Sequence, residues 1–136
     1  MPVAMKSYFH RISEREKSDR AGRRRTVYTI FHNINGMKIS WLTLENVRGE
    51  LLLAWRDTRK IEAFKRDLYA TDLICLAVAS GDNKTVEINE EMSGWKSLVD
   101  KLPTYLPECL TFEEWFEGVA FPAFKHNLRV IYQRGS

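Results

Sequence analysis

The stretch TVYTIFHNINGMKISWLTL, residues 26–44, decides the fold, because two runs of β-branched and aromatic residues flank one Asn-Gly pair. Asn35-Gly36 tolerates the positive φ values of a type I′ turn, which predicts a two-residue loop between antiparallel strands. In that register Ile34 faces Met37, and alternate residues share one mostly apolar face that we expect to point into the core. That face carries Tyr28, Ile30, His32 and Ile34 on the first strand and Met37, Ile39, Trp41 and Thr43 on the second.

Four further strands are expected downstream. They are Glu50–Trp55, Lys60–Arg66, Leu73–Ala79 and Thr85–Asn89. Turns are expected at residues 56–59 and 80–83. In the Lys60–Arg66 strand, Ile61 and Ala63 lie on one face. Leu51–Lys65 also fits a helical spacing, so a helix stays open as the alternative for that segment, although we prefer strands.

After Asn89 the apolar spacing changes to that of helices. Trp95, Leu98, Val99 and Leu102 repeat at i, i+3, i+4, i+7. We expect Ser93 to cap this helix and Pro103 to stop it. A second helix begins at Thr111, which forms a capping box with Glu114. Both Trp95 and Trp115 are expected to pack on the sheet side that carries Ile30, Ile39 and Trp41.

The segment after Pro122 has two interpretations. Pro122 favours a third helix in which Phe124, Leu128 and Ile131 face inward, whereas Asn127–Tyr132 also fits a strand. The fold class is therefore α+β: an antiparallel meander sheet or partly open barrel of about six strands, followed by two or three C-terminal helices.

The positive charge is concentrated at the start of the chain. Residues 1–25 carry eight Lys/Arg and three Asp/Glu, a net charge of +5, whereas residues 26–136 carry thirteen and fifteen, a net charge of −2. We interpret residues 1–25 as a basic N-terminal arm with a short amphipathic helix, and residues 26–136 as a single α+β domain. No signal peptide or membrane-length apolar run occurs in the sequence, so we expect a cytoplasmic protein.

The segment Leu53–Phe64, LAWRDTRKIEAF, reads as a strand ending in Trp, a short turn with Asp, and a second strand. Together with the strands Leu73–Ala79 and Thr85–Asn89 and the helix over 94–102, it resembles small bacterial pleckstrin-homology-like domains. The resemblance covers about residues 26–106. It implies a partly open antiparallel barrel capped by a helix, and a binding function rather than catalysis.

Residue types that build common catalytic centres are sparse in this chain. The three His and two Cys are far apart, and neither zinc-binding spacings nor a glycine-rich phosphate loop occurs, so we expect no metal and no cofactor. We interpret Cys75 as a core residue and Cys109 as a partly buried loop residue. An enzyme is the less favoured interpretation, because it requires a dispersed site assembled from His32, Asp67, Asp72 or Cys109.

Two basic clusters are candidate binding residues. They are Arg23, Arg24 and Arg25 in the arm and Lys60, Lys65 and Arg66 in the body. Residues 11–25 could therefore hold nucleic acid or anionic lipid by neutralising phosphates. A polyanion-binding protein that acts through this arm is our second functional hypothesis.

Our first functional hypothesis is a small non-catalytic module that binds a protein partner, and a homodimer is compatible with it. The chain has sixteen aromatic residues, more than a core of this size requires. We expect some of them to form an exposed apolar patch. The candidates for that patch are Tyr105, Phe112, Trp115, Phe121 and Phe124.

Overall fold

The computed structural model describes residues 26–67, 72–121 and 127–135. Residues 1–25, with the predicted arm, its amphipathic helix and Arg23, Arg24 and Arg25, lie outside the described residues. The strands are Val27–Asn33 (β1), Gly36–Leu42 (β2), Arg48–Ala54 (β3), Thr58–Asp67 (β4), Asp72–Ser80 (β5), Thr85–Asn89 (β6) and Leu128–Gln133 (β7). The helices are Trp95–Tyr105 (α1) and Phe112–Ala120 (α2), and a single 3₁₀ turn spans Trp55–Asp57.

The strands form two antiparallel sheets, ordered β1-β2-β3 and β6-β5-β4-β7. The α+β class is confirmed, and six strands follow one another in the predicted order. They divide between two sheets, however, and β7 returns after both helices to pair with β4. Residues 51–65 form strands around the 3₁₀ turn and not a helix.

The turn of the first hairpin differs from its prediction by one position. Asn33 pairs with Gly36, so the loop is Ile34-Asn35, and neither Asn35 nor Gly36 has a positive φ. The Asn33 side-chain oxygen accepts hydrogen bonds from the amides of Asn35 and Gly36, which stabilises this turn. Gly36 is required for another reason, since a Cβ there would clash with the Leu53 carbonyl of β3. The pairing slips by two residues, so the same face of the strands points inward. The prediction is wrong for Ile34, which lies in the turn and is exposed.

One hydrophobic core joins both sheets and both helices. Helix α1 contacts β1, whereas α2 contacts β4, β5 and β7. The prediction that Trp115 packs on the side of Ile30 and Ile39 is therefore wrong, because its helix covers the four-stranded sheet. Within the described residues, no helix combines the length and hydropathy needed to cross a membrane.

The segment before α1 connects the two sheets. The Ile30 amide donates to the Ser93 carbonyl at 2.7 Å, and the Ser93 amide donates to the Tyr28 carbonyl at 3.1 Å. The prediction that Ser93 caps α1 is therefore wrong, because Ser93 pairs with the outer edge of β1. The N-cap is Gly94, which has a φ of 93° and no side chain to accept a bond.

Helix α1 also continues past its predicted end. Pro103 lies inside the helix, which runs to Tyr105, and the Leu106 amide closes the last turn on the Leu102 carbonyl at 2.7 Å. A proline so close to the end of a helix removes one hydrogen bond from the final turn without breaking it. Helix α2 begins at the predicted capping box of Thr111 and Glu114, which is confirmed.

Replacing Gly94 with alanine is expected to lower the free energy of unfolding by about 1–3 kcal/mol, because the left-handed backbone is strained for any residue with a Cβ. That Cβ would also clash with the Ile30 carbonyl, next to the bridge between β1 and Ser93. Urea melts measure the change. The matched control is Gly118→Ala in α2, where nothing lies within 4 Å of an added Cβ. That variant should gain about 0.5–1 kcal/mol, and equal losses in both variants would contradict the argument.

Candidate functional site

The outer face of the three-stranded sheet carries a concentration of exposed apolar side chains. Strand alternation points one set of residues into the core and the other set toward solvent. This second set forms what we name the β1–β3 outer face. It comprises Val27, Thr29, Phe31, Lys38, Ser40, Leu42, Arg48, Glu50 and Leu52. A shallow groove of about 900 Å³ runs over most of it.

The pairing register arranges this face in rows. Thr29, Ser40 and Glu50 lie side by side as a polar row. Val27 and Leu42 form an apolar pair at one end of the sheet, whereas Phe31 and Leu52 flank Lys38 at the other end. Lys38 lies 3.3 Å from the Glu50 carboxylate and 4.9 Å from the centre of the Phe31 ring, so its charge is held over the middle of the face.

The three-stranded sheet and the loops that join its strands carry most of the exposed large apolar residues that the structure describes. Leu52 is 72% exposed and Phe31 is 50% exposed. Of the nine large apolar residues that are exposed in the described part of the chain, six fall between residues 27 and 52. Of these six, Val27, Phe31 and Leu52 lie on the outer face, and Ile34, Leu44 and Val47 lie in the loops between its strands.

The apolar patch predicted from the aromatic residues is located elsewhere than expected. Trp115 is fully buried, and Tyr105 and Phe112 are half-buried against the core. Phe121 is exposed, as predicted, whereas Phe124 lies outside the described residues. The sequence did carry a signal for the observed patch: Val27, Phe31, Leu42 and Leu44 interrupt the polar face of the predicted hairpin.

Strand β3 forms one edge of its sheet. It pairs with β2 on one side, and among the described residues no strand pairs with its other side. The opposite edge of the sheet differs, because Ser93 covers β1 at Tyr28 and Ile30. An uncovered edge presents a row of main-chain donors and acceptors to an added strand.

The predicted cluster of Lys60, Lys65 and Arg66 does not exist as one surface. Lys65 is 1% exposed and lies on the buried face of β4 with Ile61 and Ala63. Its Nζ donates to the Ala120 carbonyl at 3.1 Å and lies 3.4 Å from the Asp72 carboxylate. The alternation along β4 carried this signal, because residues 61, 63 and 65 share one face.

The other two members of that cluster face different surroundings. Arg66 is half-buried and its guanidinium binds both carboxylate oxygens of Glu87. Burial disfavours the charged form of Arg66, but hydrogen bonding and charge attraction from Glu87 outweigh it and raise the pKa of Arg66. Lys60 lies in a separate basic cleft.

This basic cleft has a volume of about 520 Å³ and lies where β4, β5, β6 and β7 come together. It is lined by Arg59, Lys60, Lys84 and Arg134, and by Ala79, Ser80, Asn83, Thr85 and Gln133. Two carboxylates offset part of the positive charge, since Glu62 lies 3.7 Å from the Lys60 ammonium and Asp82 lies 3.2 Å from the Lys84 ammonium. Charge attraction remains toward an anion that enters the cleft.

His32 joins two residues of α1 that are distant in the sequence. Its Nε2 lies 2.9 Å from Ser97 Oγ, and its Nδ1 lies 2.7 Å from Tyr105 Oη. Trp55 stacks on the Tyr105 ring with 5.6 Å between ring centres, and its indole N–H donates to the Asn33 carbonyl at 2.8 Å. The histidine is thus held between β1 and α1.

The surroundings of His32 favour its neutral form. Burial is the larger cause that lowers the pKa of His32 from 6.5, and the positive charge of Lys101 is the smaller one. The other residues of the predicted dispersed site lie in other surroundings. Asp72 pairs with Lys65 in the four-stranded sheet, and Cys109 is buried after the turn that follows α1. Sequence reasoning identified His32 but missed Ser97 and Tyr105, which lie 65 and 73 residues away.

Both cysteines are buried, and we expect them to react slowly in the native protein. Burial, aided by the Glu114 carboxylate, raises the pKa of the Cys109 thiol to about 12. The thiolate is the reactive form, so near pH 8 alkylation of native Cys109 by iodoacetamide should be on the order of 1,000-fold slower than that of an ordinary cysteine. Mass spectrometry measures the rate, and the protein in urea is the control. Rapid labelling of native Cys109 would contradict the burial argument.

Among the described residues, no group of three or more His, Cys, Asp and Glu side chains is placed to hold a metal ion. No protein-family model, curated protein or solved structure matches this chain, so its resemblance to pleckstrin-homology-like domains stays a prediction.

Proposed function

We propose that this protein is a protein-binding module whose docking surface is the β1–β3 outer face together with the uncovered edge of β3. The observation that carries the proposal is the exposure of three large apolar residues of this face, with three more in the loops that join its strands. The residues on the face are Val27, Phe31 and Leu52, and those in the loops are Ile34, Leu44 and Val47. Exposed apolar side chains interspersed with polar groups on one surface are typical of sites where another protein binds.

The edge of β3 indicates the form of the partner. An extended segment that adds as a fourth strand beside β3 would satisfy main-chain donors and acceptors, and it would also cover Leu52. Arg48 and Lys38 outnumber the single carboxylate of Glu50 on this face. The partner segment that fits best is therefore an extended strand that alternates apolar and acidic side chains, with an apolar side chain beside Leu52.

Photocrosslinking tests the proposal in cells of the native host. A benzophenone amino acid replaces Leu52 in one variant and Phe31 in another, and the control places it at Glu117, which is exposed on α2. We expect a discrete adduct with another protein at positions 52 and 31 and none at 117. An adduct of twice the chain mass would show a homodimer in place of a separate partner, and no adduct at either position would contradict the proposal.

A second variant separates binding from folding. Phe31→Ser/Leu52→Ser removes two exposed apolar side chains, so its urea melt should stay close to that of the wild type. The adduct formed from a benzophenone at Val47 should disappear in this background. Its persistence would show that the outer face does not carry the binding.

A second candidate function, polyanion binding, has support from the basic cleft. Lys60 was singled out in the sequence, and the structure adds Arg59, Lys84 and Arg134 around it. Nucleic acid and phosphate-bearing surfaces bind such clusters with an affinity that falls as salt rises.

Fluorescence anisotropy with RNA, DNA duplexes and anionic vesicles at two salt concentrations tests this second function. Arg59→Ala/Lys84→Ala should weaken binding and reduce its salt dependence, whereas Lys96→Ala on α1 is the control. Truncation of residues 1–25 distinguishes the arm from the cleft. If the truncated protein loses affinity and the Arg59→Ala/Lys84→Ala variant does not, the binding belongs to the arm.

A further inference from the structure

We propose that Ser97 and His32 form a nucleophile–base pair that attacks the carbonyl of small carboxylic esters, with Tyr105 as the residue that positions His32. This activity is separate from the proposed protein-binding surface. The proposal rests on the two contacts of the imidazole, one on each ring nitrogen, and on the exposure of Ser97 at the start of α1.

The distances satisfy the arrangement that serine nucleophiles require. Ser97 Oγ lies 2.9 Å from Nε2 of His32, within the range over which a hydroxyl proton passes to a base. When the Ser97 hydroxyl donates to Nε2, Nδ1 carries the ring hydrogen and donates it to Tyr105 Oη at 2.7 Å. The phenol oxygen accepts this hydrogen bond in the tautomer in which Nε2 is free to act as the base, and the same contact holds the ring in position.

Tyr105, the positioning residue, packs between the rings of His32 and Trp55. Tyr105 contacts the edge of the His32 ring at 5.6 Å between ring centres, and Trp55 stacks on its other side. Trp55 is buried and its indole is anchored to the Asn33 carbonyl of β1. The aromatic side chains therefore fix the imidazole plane relative to α1.

Main-chain groups near Ser97 suit the charge that develops during acyl transfer. The first hydrogen bond within α1 runs from the Leu98 amide to the Gly94 carbonyl at 3.0 Å. The amides of Lys96 and Ser97 come before it and point out from the N-terminal end of the helix. Such amides stabilise an oxyanion on a carbon attached to Ser97 Oγ.

The reaction balances without any further group. Ser97 Oγ forms a bond to the ester carbonyl carbon while its proton moves to His32 Nε2, and a tetrahedral oxyanion results. Collapse of this intermediate breaks the bond to the alcohol oxygen, which takes the proton from Nε2 and leaves an acyl-Ser97. Water then attacks the acyl group while its proton moves to His32 Nε2. Collapse of the second tetrahedral intermediate breaks the bond to Ser97 Oγ, which takes this proton back, and the carboxylic acid is released.

We expect ester hydrolysis to be slow, because the partner of His32 is a phenol and not a carboxylate. Tyr105 carries no negative charge to stabilise the imidazolium, and Lys101 opposes it. We therefore expect covalent modification of Ser97 to be readily measured, whereas turnover of an ester is slow and begins with a burst.

A fluorophosphonate probe tests the proposal on the full chain near pH 7.5. Ser97 Oγ displaces fluoride from phosphorus, its proton passes to His32, and mass spectrometry locates the adduct. We expect one adduct per folded chain on Ser97 and none in urea. Ser97→Ala should abolish labelling, and Thr104→Ala, which removes another exposed hydroxyl from the same helix, should leave it unchanged. Absence of an adduct on Ser97 would overturn the proposal and leave the histidine as a link between β1 and α1.

His32→Gln keeps a group that can hydrogen-bond to Ser97 but cannot take up its proton, so labelling should slow by at least about 100-fold. A rate equal to that of the wild type would overturn the proposal. If this variant does not fold, the wild-type pH profile decides instead. As the pH is lowered, the labelling rate should fall with a midpoint below pH 6.5, because His32 becomes protonated. Lys101→Ala should move that midpoint to higher pH. A rate independent of pH between 5 and 8 would overturn the assignment of His32 as the base.

Tyr105→Phe tests the positioning residue. It keeps the ring that packs between His32 and Trp55 but removes the hydroxyl that hydrogen-bonds to Nδ1 of His32. We expect labelling to slow about tenfold with an altered pH midpoint, whereas a purely structural role would leave the pH midpoint unchanged.

Discussion

Replacing Lys65 with alanine is expected to lower the free energy of unfolding by about 3–5 kcal/mol, because it removes one partner of a buried ion pair. The ammonium group lies between the Asp72 carboxylate at 3.4 Å and the Ala120 carbonyl at 3.1 Å, and the side chain is 1% exposed. The change leaves the Asp72 charge within the fold without its cation. It also removes the hydrogen bond that connects β4 to the end of α2. Urea melts at constant pH measure the loss.

Lys60 is the matched control for Lys65. It lies on the same strand and has an ion pair of its own, with Glu62 at 3.7 Å, but 39% of its side chain is exposed. Lys60→Ala should therefore change stability by no more than about 0.5 kcal/mol. The double variant Lys65→Met/Asp72→Leu should recover part of the loss, since apolar groups of similar volume often replace a buried pair at little cost. Equal melts for Lys65→Ala and Lys60→Ala would show that burial does not govern the effect.

Trp115→Ala is expected to lower the free energy of unfolding by a similar amount, about 3–5 kcal/mol, because the indole is fully buried and its removal leaves a large cavity. The ring packs edge-on against Phe112 at 5.2 Å and against Phe116 at 6.3 Å, so both neighbours lose contacts. For a domain whose stability is typically 5–15 kcal/mol, the loss is large enough to unfold part of the population.

Phe121 is the matched control for Trp115. It lies just after the end of the same helix and is 63% exposed, so Phe121→Ala should change stability by less than about 0.5 kcal/mol. Urea melts followed by far-ultraviolet circular dichroism, which does not depend on tryptophan fluorescence, compare the two variants. A loss in Phe121→Ala that matched the loss in Trp115→Ala would mean that α2 does not anchor the core through its indole.

Local patterns predicted the elements of this fold well. The capping box at Thr111 acts over three residues, and the alternation from Tyr28 to Thr43 identified the inward face of the hairpin. Both signals depend on chemistry within one turn or one strand pair, so the sequence expresses them directly.

Contacts between segments that are distant in the sequence could not be predicted from local patterns. Asn35-Gly36 carries the pattern of a type I′ turn, but Gly36 is required by the approach of Leu53, 17 residues later. Ser93 is a good capping residue, yet its main chain pairs with β1 because the second sheet brings it there. Local propensity therefore gave the right elements, and tertiary packing fixed the turn, the helix cap and the division into two sheets.

The candidate sites show the same division. The burial of Lys65 could have been read from its place in β4, two residues after Ala63 and four after Ile61, because strands alternate faces. The contacts of His32 with Ser97 and Tyr105 could not be predicted from the sequence, since they depend on how α1 packs on β1.

The amide hydrogen of Ile30 is a reporter of contact between the two sheets. Its bond to the Ser93 carbonyl points away from β2, whereas the amide of Phe31 faces Lys38 within the hairpin. In a separate hairpin the Ile30 amide would meet water and exchange quickly with deuterium. Slow exchange at Ile30 and Ser93 thus reports that the sheets are docked. A fluctuation that parts them would expose these two amides first and leave Phe31 protected.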